Sequence, residues 1–379
     1  MENRLKARAI GFDLVFIISH LRAGGAQRVV VTLANDWARR GLRICIATFS
    51  RPGEDFFQLD TRVRRVQLNE KTGPRIGGLL SNLRRVQALR GLLRGNPGVP
   101  VVAFVAATNV LTVLAAWGLK ARVIISERND PARQSNGWVW DQLRKFCYRF
   151  ADVVTANSHG ALEPLRRYVP STKLVFTPNP IAVDKLGPND NSFTTPTILC
   201  VGRLVPQKGI DVLLHAFSQV ADDAPGWNLA IAGEGPLGSK LRALTEELGI
   251  AGQVNWLGLV NNVGPYYTKA SIFVLPSRFE GTPNALLEAM RHGSAVVVSD
   301  ASPGPLEVVE DGTSGVVVPS SDVPALAEAL SRLIKDPALR SRLGTGARNA
   351  TASHEYTCAI SVWETIIGLK PCQPATYRS

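Results

Sequence analysis

The chain reads as short runs of β-branched and aliphatic residues, separated by longer stretches in which apolar residues recur every three or four positions. In the first half the runs are DLVFIIS (13–19), RICIATF (43–49), VVAFVAA (101–107), RVIIS (122–126) and DVVTAN (152–157). In the second they are TILCVG (197–202), WNLAIAG (227–233), VNWLG (254–258), IFVLPS (272–277) and AVVVSD (295–300). Between them, Val30, Leu33, Ala34 and Trp37, and later Ile210, Leu213, Leu214 and Phe217, keep helical spacing. This alternation predicts an α/β fold with a parallel sheet, covered by helices on both faces, in each half. The stretch AVDKLGPNDNSFTTP (182–196) is polar and lacks any such period, so it predicts a linker. The expected layout is one βαβ-type domain over 1–182, a linker over 183–196, a second such domain over 197–352 and a terminal helix over 353–370. Two domains of this kind are expected to leave a cleft at the carboxyl ends of their strands, where open α/β sheets bind ligands.

Composition agrees with two domains, since 379 residues at 45% apolar content can fill two cores. Charge adds an asymmetry. Residues 1–190 hold 29 Lys and Arg against 14 Asp and Glu, net +15, while residues 191–379 hold 14 against 17, net −3. An anionic partner is therefore expected on the first half. The five cysteines (Cys45, Cys147, Cys200, Cys358, Cys372) are odd in number, scattered and never in C-x-x-C spacing, which argues against a disulfide frame and a zinc site. A basic start (Arg4, Lys6, Arg8) precedes an apolar run at 12–19 that is too short for a signal core or a membrane span of about 20 residues. A cytoplasmic protein is expected.

Candidate chemistry lies where strands end. HLRAGGAQRVV puts Gly24 and Gly25 ahead of a helix, a turn that can cradle a phosphate or serve only as a connector. CVGRLVPQKGIDVLL places Gly202 and Arg203 at a strand tip and Lys208 before the next helix. Two cations there are either solvated or hold an anion. The segment is not a Walker loop, because Lys208 is followed by Gly209 and no Ser or Thr. GEGPLG (233–238) matches G-x-G-x-x-G, yet no Asp or Glu follows between Gly249 and Phe279 to grip a ribose, which argues against a dinucleotide oxidoreductase. In FVLPSRFEGTPNALLEAMRHG, Thr282 is the expected N-cap and Pro283 the expected first helical residue, leaving the amides of Gly281 to Asn284 for an anion. Glu280 and Glu288 then suit the hydroxyls of a sugar; the competing readings are a glycosidase pair, or a capping Glu280 with a solvated Glu288. A nucleotide sugar, with hydroxyls and a diphosphate, satisfies every group.

These motifs, GGAQR, VGRLVPQKGID, GEGP, PSRFEGTPNALLEAMRHGSAVVVSD and GPLEVVEDGTSGVVVP, resemble the retaining glycosyltransferases of family 4 over nearly the whole chain. The resemblance implies the GT-B fold, two Rossmann-like domains facing across a cleft, with an acceptor-binding first domain and a donor-binding second. It implies Arg203 and Lys208 on the donor diphosphate, Glu288 on the nucleotide ribose, Glu280 on the transferred sugar and Gly24–Gly25 near the phosphates. Gly202, Gly233, Glu234, Gly281, Thr282, Pro283 and Asn284 complete the implied donor site, and Arg203, Lys208 and Glu280 its catalytic set. It further implies retention at the anomeric carbon and a last helix crossing back to the first domain; the expected donor is a nucleotide-diphosphate sugar, a UDP-sugar first. Many members carry a His where VIISERNDP puts Glu127, so Glu127, Arg128 and Asp130 are candidate acceptor contacts; SERNDP itself is similar to transferases of N-acetylhexosamines. No D-x-D pair occurs, and no metal or other cofactor is expected.

Two segments bear on the acceptor. PRIGGLLSNLRRVQALRGLLRGN (74–96) sets leucines among Arg75, Arg84, Arg85, Arg90 and Arg94, and WVWDQLRKFCYRF (138–150) adds Trp138, Trp140, Arg144, Lys145 and Arg149. Basic amphipathic helices of this type lie on anionic membranes or cover a core with a solvated basic face. Nucleic acid is disfavoured because no recognition motif accompanies the charge. The expected acceptor is a lipid-linked, lipopolysaccharide or exopolysaccharide glycan at the cytoplasmic membrane face. A soluble acceptor, a nucleotide-sugar epimerase or hydrolase, and a non-catalytic nucleotide-sugar binder are the alternatives.

Overall fold

The structure, a computed structural model, describes residues 11–68, 78–181 and 193–369. Most of the expected linker (182–192) lies outside the described residues, as do Arg4, Lys6, Arg8, Arg75 and Cys372. The chain divides into two compact units. One takes residues up to Ala156, Leu162–Thr177 and residues from Ile360; the other takes Asn157–Ala161 and Pro178–Ala359. The second unit takes up the chain again at Pro178: Ile181 bridges to Glu355, and the Asn179 amide donates to Thr282 O, which ties this stretch to the second unit.

The first sheet comprises β1 (Leu14–Ile17), β2 (Ile44–Thr48), β3 (Arg64–Gln67), β4 (Pro100–Phe104), β5 (Arg122–Glu127), β6 (Val153–Ala156) and β7 (Leu174–Phe176). Its order is β3-β2-β1-β4-β5-β6-β7, every pair parallel, with Leu14 opposite Ile44 and Val15 opposite Val101. The helices of this part of the chain are α1 (Gly25–Arg39), α2 (Gly78–Arg94), α3 (Ala106–Ala116), α4 (Trp138–Cys147) and α5 (His159–Leu165).

The second sheet comprises β8 (Thr197–Val201), β9 (Asn228–Ala232), β10 (Val254–Gly258), β11 (Ile272–Leu275), β12 (Ala295–Ser299) and β13 (Val316–Val318), in the order β10-β9-β8-β11-β12-β13, again parallel. Its helices are α6 (Ile210–Ser218), α7 (Gly238–Glu247), α8 (Gly264–Lys269), α9 (Asn284–Arg291) and α10 (Pro303–Leu306). Then follow α11 (Val323–Lys335), α12 (Pro337–Ala350) and α13 (Tyr356–Ile367).

All ten strands expected from apolar runs are present. Three more, β3, β7 and β13, are edge strands of three or four residues. An edge strand has one neighbour and needs little apolar sequence, and β3, reading RRVQ, carries the charge that keeps an edge from pairing further. The first core is aromatic at its centre: Phe16 stacks on Trp37 at 5.9 Å, and Phe104 on Trp363 of α13 at 5.8 Å. Beside Trp363, Glu364 pairs with Arg40 at 2.5 Å and Arg122 donates to Ile366 O at 2.6 Å, so residues from Ile360 onward are built into the first unit.

Candidate functional site

Within the second unit, β8 lies between β9 and β11, so successive connections leave it to opposite sides. Such a switch point opens a crevice at the carboxyl ends of the strands. Three loops meet there. The loop after β9 lies so close to that after β8 that a Cβ on Gly233 would sit 1.9 Å from Gly202 O; Leu204 N donates to Glu234 O at 3.0 Å. Gly209, left-handed at φ 61°, lets the loop after β8 touch the loop after β11, where its own Cβ would meet Pro276 O at 2.1 Å.

This contact brings the predicted residues together. Lys208 Nζ donates to Glu280 Oε1 at 2.5 Å, both side chains being largely shielded from water. The Glu280 amide is held by Ser302 Oγ at 3.1 Å, and Oε2 of Glu280 accepts no hydrogen bond among the described residues. The Arg203 side chain, on the same loop as Lys208, is exposed and makes no ion pair or hydrogen bond among the described residues. Glu288 is buried on α9, not solvated.

The helix start differs from expectation. Pro283 is extended (φ −75°, ψ 129°) and occupies the cap position, so α9 begins at Asn284. Thr282 does not cap it: its hydroxyl donates to Asn157 O at 2.6 Å, and its carbonyl accepts from the amides of Asn157 and Asn179. Gly281, Thr282 and Pro283 are buried, while Asn284 and Ala285 are half-buried. The helix thus starts one residue later than the sequence suggested, and the amides at its mouth are those from Asn284 onward in place of Gly281 to Asn284.

Within the first unit, β1 lies between β2 and β4, a second switch point, and the Gly24–Gly25 loop follows β1 into α1. Gly24 is extended, so its freedom of φ is not what the position uses. A side chain there would strike Gln27 Oε1 at 2.3 Å, and Gln27 itself is buried with Nε2 at 3.4 Å from His20 Nδ1.

The candidate acceptor contacts at the end of β5 are otherwise engaged. Glu127 is 1% exposed; its Oε2 accepts from the Tyr148 hydroxyl at 2.8 Å, and that hydroxyl accepts from Asn109 at 3.0 Å. Burial pushes the Glu127 carboxyl pKa up, against the Tyr148 hydrogen bond and the charges of Arg144 and Arg128, which pull it down. Glu127 thus sits among interior groups in this structure. Arg128 stacks on Phe104 and Trp363 and donates to Ser126 Oγ and Thr177. Asp130 is 4% exposed and accepts from Ala132 N, closing its own turn.

The sequence reading missed three residues that join the site loops, Gln207, Asp211 and Arg278. Gln207 donates to Phe279 O at 2.9 Å, and Arg278 forks onto Asp211 at 3.0 and 2.7 Å. Opposite charges 67 positions apart carry no periodic signal. Among the described residues, no group of three or more His, Cys, Asp or Glu is placed to hold a metal ion.

Two family descriptions match the chain: glycosyl transferases group 1 over residues 187–350, and a glycosyl transferase 4-like domain over residues 24–180. With one such domain in each half, the chain is a glycosyltransferase. A relative in Campylobacter jejuni, the GalNAc-alpha-(1->4)-GalNAc-alpha-(1->3)-diNAcBac-PP-undecaprenol alpha-1,4-N-acetyl-D-galactosaminyltransferase, is 29% identical across 93% of this chain and 97% of its own. The lipopolysaccharide core biosynthesis glycosyltransferase LpsE of Rhizobium meliloti is 26% identical across 84% of this chain and 88% of its own. Anabaena HepE, solved in complex with UDP-glucose, superposes with a TM-score of 0.77 at 17% identity, covering 94% of this glycosyltransferase and 100% of HepE. The two parallel sheets of the glycosyltransferase are those of the GT-B fold.

Proposed function

We propose that this glycosyltransferase moves a sugar from a UDP-sugar, with retention at the anomeric carbon, onto a lipid-linked, lipopolysaccharide or exopolysaccharide glycan at the inner face of the cytoplasmic membrane. The observation that carries this reading is the contact of Lys208 with Glu280 at the ends of β8 and β11, with Arg203 on the same loop as Lys208. Arg203 and Lys208 hold the diphosphate, with Gly202, Gly233 and Glu234 shaping the loops against it. The Glu280 carboxylate takes a hydroxyl of the transferred sugar through Oε2, and Glu288 takes the ribose. Gly281, Thr282, Pro283 and Asn284 set the mouth of α9, whose first amides face the anion. As the bond from the anomeric carbon to the diphosphate oxygen breaks, negative charge grows on the leaving group, and the two cations stabilise it without a metal. The acceptor hydroxyl forms the new bond on the same face and gives its proton to the departing phosphate.

Uridine is favoured by the UDP-glucose bound to HepE, and an N-acetylhexosamine by the names of the Campylobacter relatives. The membrane surface is favoured by the first unit. Among the described residues, eight of the ten exposed large apolar side chains lie on or just beyond α2, α3 and α4: Leu79, Leu80, Leu83, Trp117, Trp138, Val139, Phe146 and Phe150. Their charged companions include Arg84, Arg94, Lys145 and Arg149, and α2 holds no acid. No helix among the described residues is long and apolar enough to cross a membrane, so contact is with its surface.

The test is release of nucleoside diphosphate from a panel of UDP-, GDP- and ADP-sugars, with and without an undecaprenyl-diphosphate glycan, in buffer containing a chelator. Acceptor-dependent UDP release that survives chelation is expected. Arg203→Ala and Lys208→Ala should each lower turnover by roughly 100-fold, the equivalent of about 3 kcal/mol in the transition state. Unchanged turnover in both variants defeats the assignment.

A further inference from the structure

The donor site proposed above is made by two loops that are far apart in sequence, and most of what joins them passes through a residue given no role so far. Arg278 N donates to Gln207 O at 2.7 Å, Arg278 Nη1 to Pro206 O at 2.6 Å, and the guanidinium forks onto both oxygens of Asp211 in the first turn of α6. Gln207 returns a bond to Phe279 O at 2.9 Å. Lys208 and Glu280 meet at the end of this row, each flanked by a residue the row fixes.

We infer that Arg278 and Asp211 are a positioning pair that docks the loop after β8 onto the loop after β11 and so holds the Lys208 ammonium at the diphosphate position. Three features separate this role from binding the ligand directly. The Arg278 fork is already filled by a carboxylate in bidentate geometry, which leaves little of its charge for a phosphate. Asp211 is held below the ordinary carboxylate range: burial alone would push it up, and the hydrogen bonds and charge of Arg278 outweigh that. Finally, the pair spans the two loops on the side of Pro206 and Gln207, so its loss frees the segment that carries Lys208 while Lys208 itself is intact. A lysine that must be recruited from many loop conformations binds more weakly than one held in place.

The inference rests on the proposed donor site, and its test is calorimetric titration of the full chain with UDP, without acceptor. Arg278→Ala and the isosteric Asp211→Asn should each weaken UDP binding by about tenfold, and the double variant should bind no worse than the weaker single. In a Lys208→Ala background, Arg278→Ala should change the affinity by less than about twofold, because the group it positions is gone. A general loss of fold would instead compound with Lys208→Ala. Melting temperatures of all variants show that they are folded. A folded Arg278→Ala and Asp211→Asn that bind UDP like the parent overturn the inference, as does a loss that multiplies with that of Lys208→Ala. If the parent binds none of UDP, GDP and ADP, the donor site itself fails and the inference with it; if it prefers GDP or ADP, the same cycle is run with that nucleotide.

Discussion

A carboxyl group closed off from water holds its proton more tightly than the same group in an unfolded chain. Glu127 is such a group, with burial raising its pKa and Tyr148 as its hydrogen-bond donor. The sign of the pH effect follows. Its contribution to stability is present in full below the ordinary carboxylate range and is lost as pH rises through the raised value. Glu127→Gln keeps an oxygen for the Tyr148 hydroxyl and has nothing to ionise. Its melting temperature should match the parent's near about pH 4 and exceed it increasingly toward about pH 8. A difference that stays flat across that range would contradict this account. Lys208 and Glu280 illustrate the opposite situation, in which two shielded groups are tolerable because they face each other, and removing either strands the other.

At the level of elements, α13 is tied to the first unit by the Arg122 and Arg40 bonds described above and by one large aromatic side chain. Trp363 is fully buried, lies against Phe104 and carries the Arg128 guanidinium at 5.0 Å from its ring. Trp363→Ala should cost about 3–5 kcal/mol, read as a lower denaturant midpoint. A loss below about 1 kcal/mol would mean that the helix is held elsewhere. Such long-range ties mark the limit of what the sequence discloses. The central strands and the helix carrying Trp37 are visible because burial on both faces demands continuous apolar runs and helical spacing. The Gly202, Lys208 and Glu280 pattern is visible because glycine, cation and acid recur at strand ends, and Glu288 because it follows in the next helix. The edge strand RRVQ, the extended Pro283 that delays α9 and the Arg278 to Asp211 bridge are not, because each depends on partners supplied by distant chain. The burial of Glu127 is hidden for the same reason: its surroundings come from Tyr148 and Asn109, on other elements.

For the molecule as a whole, charge and exposed apolar surface are concentrated in the first half of the chain. Trp117, Phe146 and Phe150 lie against one another with ring centroids 5.0 to 6.4 Å apart while remaining roughly half exposed, and Arg149 lies over Phe146. Aromatic side chains of this kind settle at the level of lipid headgroups, where salt screens them less than it screens lysine or arginine. The full chain should therefore float with vesicles containing anionic lipid, and part of that binding should persist at about 0.5 M salt. Replacing Trp117, Phe146 and Phe150 together by Ser should remove the persistent part and leave the salt-sensitive part. A parent protein that stays behind when anionic vesicles rise at low salt would count against membrane contact. The seat of Trp363 also bears on how the protein is made. A ribosome that has issued the first seven strands has not yet delivered the residue that plugs the space over Phe104, because more than 180 positions of chain come between. The first unit to be started is thus finished after the second, and a prematurely terminated product would leave Phe104 and its neighbours open to water and to chaperones.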